Sequence, residues 1–182
     1  MRWTLVTIIA AGLLGCASGR PSAQFATIRL SELDAVVHPP IGWTMQRADD
    51  TSRYVQRVWV SPSGRTSYGV IRFSLPLPVG EEIALTGFLS QMRQSEGEAH
   101  LLSMERDEAQ DRLNFSAEGG RYRLDGIIVT RGFHGWVIYD GVLRNQARAL
   151  DEVALAVQAR ENTSPEPGDV KKGSEKGSPR RE

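Results

Sequence analysis

The sequence predicts an α+β domain: an antiparallel β-sheet covered by two main helices, in the order β-hairpin, helix, β-meander, helix. Three observations carry this reading. From about residue 54 to 143, apolar residues mostly alternate with polar ones, which is the period of a half-buried strand. The alternating stretches are joined by hairpin-length turns, so neighbouring strands are antiparallel. Two stretches switch to apolar spacings of three and four, and each offers a stripe that can lie on a sheet.

The first strand places Tyr54, Val58 and Val60 on one side and runs into Ser61-Pro62-Ser63-Gly64, with proline at the second turn position and glycine at the fourth. The chain resumes as "TSYGVIRFSL", with Ile71, Phe73 and Leu75 on one face, until Pro76 and Pro78 end the strand. Glu81 and Glu82 then open a helix, where the N-terminal dipole favours carboxylates. Leu85, Phe88, Leu89 and Met92 form its stripe, and Gly97 closes it. In the meander that follows, Leu113, Phe115 and Ala117 point inward, Gly119-Gly120 permits a tight hairpin, and Tyr122, Leu124 and Ile128 continue the pattern. The next reversal falls at residues 132–135. A second helix over residues 146–160 is expected to bury Leu150, Val153, Ala154 and Val157.

The flanks of this domain, residues 25–160, read differently. The chain begins MRWTLVTIIAAGLLG, and residues 5–14 form an apolar run broken only by Thr7. As a helix the run is about 15 Å long, half of a bilayer core of roughly 30 Å. It has the length of a signal-peptide core, and small residues follow it. The single cysteine of the 182 residues, Cys16, stands directly after it. A lone cysteine cannot form an internal disulfide, and Gly15 and the Ser/Gly/Pro stretch around it do not belong to a packed core. Leu13-Leu14-Gly15-Cys16 resembles the lipobox of bacterial lipoproteins. That resemblance implies cleavage after residue 15, a diacylglycerol thioether on the Cys16 sulfur and an acyl group on its amine. Two or more chains, at ~0.8 kcal/mol per buried CH₂, anchor a protein durably. Residues 16–24 would then be the lipidated cysteine and a flexible tether, reaching about 15 Å as a coil. Residues 161–182 contain three prolines, three glycines and no aromatic residue, and are expected to be disordered. The Asn162-Thr163-Ser164 sequon within them is read as coincidence.

Removing residues 1–15 takes away Arg2 and turns a balance of 22 basic and 22 acidic residues into a formal charge of −1. No basic excess points to nucleic acid, and no polybasic stripe to anionic lipid. Membrane attachment is therefore assigned to the acyl chains on Cys16, with an outer-membrane, periplasm-facing location preferred and a monomeric domain expected.

"PPIGW" at residues 39–43, the "SPSG" turn, the single amphipathic helix between two sets of strands, and "GWVIYDGVL" leading into a last helix resemble the PsbP-like domains. That family implies a sandwich of antiparallel sheet and helices, known also in bacterial envelope lipoproteins, and better-known members are non-enzymatic accessory proteins of membrane complexes.

Candidate chemistry is sparse. His38, His100 and His134 lack partners at metal-ligand spacing and read as solvated imidazoles. Asp49-Asp50 fall in a polar loop, and Glu81-Glu82 answer to the helix dipole, so neither pair reads as an acid/base couple. No nucleophile elbow is present, and "EGGRYR" leads into a strand rather than a helix N-terminus. No catalytic residue, metal site or cofactor is expected. Arg121 and Arg123 face outward, beside Arg72 or Arg131 if those strands adjoin, either as an anion-binding face or as an ordinary polar one. Trp43, Trp59, Tyr68, Trp136 and Tyr139 are assigned to the core, with Trp59 partly exposed. Two functions remain open: a non-enzymatic accessory or scaffold lipoprotein of an envelope complex, or a lipoprotein binding an apolar ligand or lipid in a helix–sheet groove. An apolar concavity would favour the second, a filled core with a flat patterned face the first.

Overall fold

The hairpin, helix, meander and second helix are all present in the computed structural model, which describes residues 24–51 and 54–166. The signal peptide, Cys16 and the tether up to residue 23, like residues 167–182, lie outside the described residues. In chain order the elements are β1 (Ile28–Leu30), β2 (Ala35–Val37), β3 (Thr44–Asp50), β4 (Tyr54–Val60), β5 (Thr66–Ser74), α1 (Glu81–Glu96), β6 (Ala99–Asp107), β7 (Arg112–Gly119), β8 (Tyr122–Arg131), β9 (His134–Leu143), α2 (Leu150–Asn162) and β10 (Ser164–Pro165).

Seven strands form one antiparallel sheet in the order β3-β4-β5-β9-β8-β7-β6. The two hairpin sets meet at β5 and β9, where Thr66 pairs with Val142 and Ser74 with His134. Alternation then sorts side chains between two cores. On one face Ile71, Leu113, Phe115, Ala117, Leu124, Ile128, Val137 and Tyr139 pack under α1, with Leu85 and Met92 buried and Phe88 and Leu89 half-buried. Fully burying one such side chain is worth roughly 1.5–3 kcal/mol. α1 starts at Glu81 and ends at Gly97, whose φ of 83° is left-handed and whose N–H reaches the Arg93 carbonyl at 2.9 Å; glycine takes that conformation without a Cβ penalty.

The other core holds Trp59, Tyr68, Val70, Trp136 and Ile138 beneath α2 and a small three-stranded sheet, β1-β2-β10, that the sequence pattern did not reveal. Trp59, expected to be partly exposed, is buried and stacks on Tyr68 at 5.3 Å. Trp136 donates from Nε1 to the Leu33 carbonyl at 2.7 Å.

The second helix departs from expectation twice. It begins at Leu150, not residue 146, and its buried residues are Ala156 and Ala159, while Leu150 is 74% exposed, Ala154 is exposed and Val153 and Val157 are half-buried. The reason is volume: the sheet face below presents Trp59, Tyr68 and Trp136, and close packing puts small residues against large ones. The boundary expected for the tail, residue 161, also moves. Helix α2 continues through residues 161 and 162, the Thr163 hydroxyl bonds that of buried Tyr68, and β10 pairs with β2. Glu166 then meets Arg29 in a bidentate pair at 2.6 and 2.7 Å. Residues 161–166 are thus part of the domain. At the other boundary, the Gln24 carbonyl accepts the Ile41 N–H at 2.9 Å, which ties the last tether residue to the fold.

Candidate functional site

Helix α1 packs across β6, β7, β8 and β9, with Ile71 of β5 at the margin of its core, and leaves the same face of β3 and β4 more open. The step between helix and open sheet forms a groove of about 290 Å³. Val58, Val60, Ile71, Leu124 and Tyr139 supply its floor and Phe88 and Met92 its helix wall, with Gln46, Gln91 and Ser95 among its polar rim. Register explains the floor: Val60 lies opposite Ser67, Val58 opposite Gly69 and Gln56 opposite Ile71, all on the α1 side. Gly69 has a specific task here. A Cβ at that position would stand 2.3 Å from Tyr139 Cζ, so only glycine lets the ring lie flat across β5. The Tyr139 hydroxyl then accepts Gln56 Nε2 at 3.3 Å, and Phe88 meets the Tyr139 and Phe115 rings at 6.4 and 5.6 Å.

At one end of the groove, Arg121 and Tyr122 of the β7–β8 hairpin face Glu96 near the end of α1. The Glu96 carboxylate accepts the Arg121 N–H at 3.1 Å and lies 3.9 Å from its guanidinium, which sits 5.8 Å from the centre of the Tyr122 ring. The arginine cluster considered from the sequence does not form. Arg121 and Arg123 lie at the end of β8 where Tyr122 pairs with Leu143, whereas Arg72 and Arg131 lie towards the opposite end, beside Trp136 and His134.

Strand β6 has one hydrogen-bonded neighbour among the described strands, and Leu101, Leu102 and Met104 on it are 42%, 48% and 47% exposed. A register shift between Leu101 and Ser103 marks a bulge, so consecutive leucines project from this edge.

The remaining candidates do not line the groove. Asp49 and Asp50 lie on β3, not in a loop, and Asp50 pairs with the buried Arg57 at 2.6 Å, which also reaches Glu32. Glu81 opens α1 as expected but is itself buried: it accepts the Thr130 hydroxyl at 2.7 Å and Arg106 at 3.0 Å. Burial works against its charge, yet these donors outweigh it and hold the carboxyl below its usual value. His134 is half-buried rather than solvated, 3.3 Å from Arg72 and edge-on to Trp136, and burial followed by the Arg72 charge lowers its pKa. His100 is exposed, and His38 Nδ1 lies 3.2 Å from the Thr27 hydroxyl. Among the described residues no group of three His, Cys, Asp or Glu could hold a metal ion.

Sequence reasoning missed Asp140. It is buried on β9 and bonds Arg160 of α2 at 2.6 Å, with Asp125 opposite it on β8. Burial pushes its pKa up to about 6 against the pull of Arg160, and Asp125 adds to the rise. Asp125 in turn accepts the Ser116 hydroxyl. With its partner already in place, Asp140 ties α2 to the sheet. Burial of an aspartate inside an apolar run, "GWVIYDGVL", was the available signal.

The arrangement, a long antiparallel sheet with one helix on each face and a hairpin-helix-meander-helix order, defines a PsbP-like fold. The solution structure of cyanobacterial PsbP (CyanoP) from Synechocystis sp. PCC 6803 matches with a TM-score of 0.56, covering 85% of this chain and 99% of that one at 16% identity. A crystal structure from Bacteroides thetaiotaomicron VPI-5482 matches at a TM-score of 0.40 and 13% identity, over 80% of this chain and 50% of its own. No family model and no curated protein matches the chain.

Proposed function

We propose that this chain is an exported lipoprotein, anchored by acyl groups on Cys16, that serves a membrane protein complex of the cell envelope as a non-enzymatic accessory. The observation that carries the accessory role is the β6 edge. Among the described residues its main chain has no strand partner on one side, and Leu101, Leu102 and Met104 flank it, the features of an edge that accepts a strand from a partner. The fold match to a PsbP protein and the lipobox-like end of the apolar leader support the same reading. No helix among the described residues is long and apolar enough to cross a membrane.

The test joins both halves. Acylated chain is crosslinked in native membranes, and the partner recovered by parent protein is expected to be lost with Leu102→Glu/Met104→Glu. Cys16→Ser protein should lose acyl mass and be released by carbonate washing. Persistence of acyl mass in Cys16→Ser refutes the anchor; partner recovery unchanged by the β6 variant refutes the edge. A second reading, binding of an apolar ligand, is favoured by the groove between α1 and the open half-sheet, because it is the concavity that distinguishes the two functions.

A further inference from the structure

The groove has a direction. Leu124, Val60 and Ser67 lie toward one end of the sheet and Gln56 and Ile71 nearer its middle, so the cleft runs along β4 and β5, with Arg121, Tyr122 and Glu96 at one end. The loops of that end are bound to each other: the Leu143 N–H donates to the Arg65 carbonyl at 3.0 Å, and the Arg144 N–H to the Arg121 carbonyl at 2.8 Å. The chain enters the domain at this same end. Gln24 is held by Ile41, three residues before Thr44, whose strand partner is the groove residue Val60. With a tether of residues 17–24 reaching about 15 Å from an anchored Cys16, the Arg121 end of the groove is the one brought to the bilayer.

The lining then limits the occupant. A volume of about 290 Å³ lies at the lower bound of ordinary ligand sites, room for one hydrocarbon chain. The floor and helix wall are mostly apolar, from Val58, Val60, Ile71, Phe88, Met92 and Leu124, with Gln56 and Ser67 as polar interruptions of the floor. At the mouth the Arg121 side chain is 73% exposed. Glu96 engages its backbone N–H and lies 3.9 Å from one guanidinium nitrogen, which positions the hairpin while most of the guanidinium faces solvent. Planar guanidinium donors match a carboxylate or phosphate oxygen pair. We propose that the groove takes up the acyl chain of a single-chain anionic amphiphile from the membrane, a fatty acid or a lysophospholipid, with its head group on Arg121. This rests on the ligand-binding reading above and on the Cys16 anchor.

The experiment uses the full acylated chain in phosphatidylcholine vesicles carrying a trace of palmitic acid with a photoreactive diazirine near its methyl end. A parallel arm carries the same chain as an uncharged monoacylglycerol. Palmitate label is expected on the peptides bearing Phe88, Met92 and Val58, and it should fall about tenfold when Ser95→Trp fills the rim. Arg121→Glu should lower palmitate labelling several-fold and leave monoacylglycerol labelling unchanged. Ser95 and Arg121 are both exposed, so neither substitution removes a core contact. Groove labelling by both probes with no dependence on Arg121 overturns the anionic head-group site while the apolar groove survives. Absence of label in the groove, or label indifferent to Ser95→Trp, overturns both.

Discussion

Substitution of Gly69 by alanine is a stringent test of the packing described for the groove floor. The new Cβ would stand 2.3 Å from Tyr139 Cζ and 2.5 Å from its hydroxyl oxygen, contacts that no rotation of a methyl group relieves. The ring must leave the sheet, which sacrifices the Gln56 hydrogen bond and disturbs the tilted contact with the Phe88 ring. Overpacking of this kind costs ~1–3 kcal/mol and the lost hydrogen bond ~0.5–1.5 kcal/mol, together about 2–4 kcal/mol. Tyr139→Ala alone should cost ~3–5 kcal/mol, as aromatic truncations in cores do. In the double variant the methyl group meets space instead of a ring, and alanine is ~0.5–1 kcal/mol better than glycine within a strand. The cycle should therefore deviate from additivity by about 2 kcal/mol or more, in the sense that the second substitution partly repairs the first. Urea denaturation of the four proteins, with m-values held common, measures it. Additivity within ~0.5 kcal/mol would mean that Tyr139 does not lie across Gly69.

Three further outcomes follow from other contacts. Truncation after Arg160 should cost about 2–4 kcal/mol, because it removes the β10 ladder and the Thr163 partner of buried Tyr68, whereas truncation after Glu166 should leave the denaturation midpoint near that of the parent; equal midpoints would place the domain end at Arg160 after all. Asp140 has a folded pKa of about 6 against an ordinary 3.8, so the native state holds a proton that the unfolded chain has released between those values. Its contribution to stability therefore falls as pH rises from 4 to 6, by at most about 3 kcal/mol; Asp140→Asn should flatten that slope, and an unchanged pH profile would refute the assignment. Leu85→Ala, at a position 2% exposed, should cost ~2–5 kcal/mol by thermal or chemical unfolding and exceed Phe88→Ala, whose ring is partly open to the groove; the reverse order would show that the centre of α1, not its first half, bears on the sheet.

Legibility of the fold followed the strength of each local pattern. The meander was plain because Leu113, Phe115, Ala117, Leu124 and Ile128 alternate on one buried face and the glycine turns have few other uses. Helix α1 was plain because its large apolar residues are also its contacts. Helix α2 was misread for the converse reason: its contacts are alanines, and the larger Leu150 and Val157 drew attention to another face. The strands β1, β2 and β10 are three, three and two residues long, too short for periodicity to register, and β10 contains a proline. The groove was foreseen as a type of site, but its walls come from residues as distant as Val58, Phe88 and Leu124, which only the β4-β5-β9-β8 order assembles. Asp140 was missed because a buried carboxylate in an apolar run is intelligible only once Arg160 is seen beside it.

The pairing of β10 with β2 bears on the order in which the molecule can be made. Ala35 finds its partner in Pro165 and Val36 in Ser164, residues near the two extremes of the described chain. Loop-closure entropy must be met before such a contact gives any return. A chain leaving a ribosome or a translocation pore N-terminus first therefore has β1 and β2 in hand long before the strand that completes their sheet. Until residue 165 has emerged, Leu33 and Trp136 lack a finished cover and Tyr68 lacks its hydroxyl partner. Such a polypeptide stays pliable through synthesis and locks only once residues 164 and 165 are available to pair.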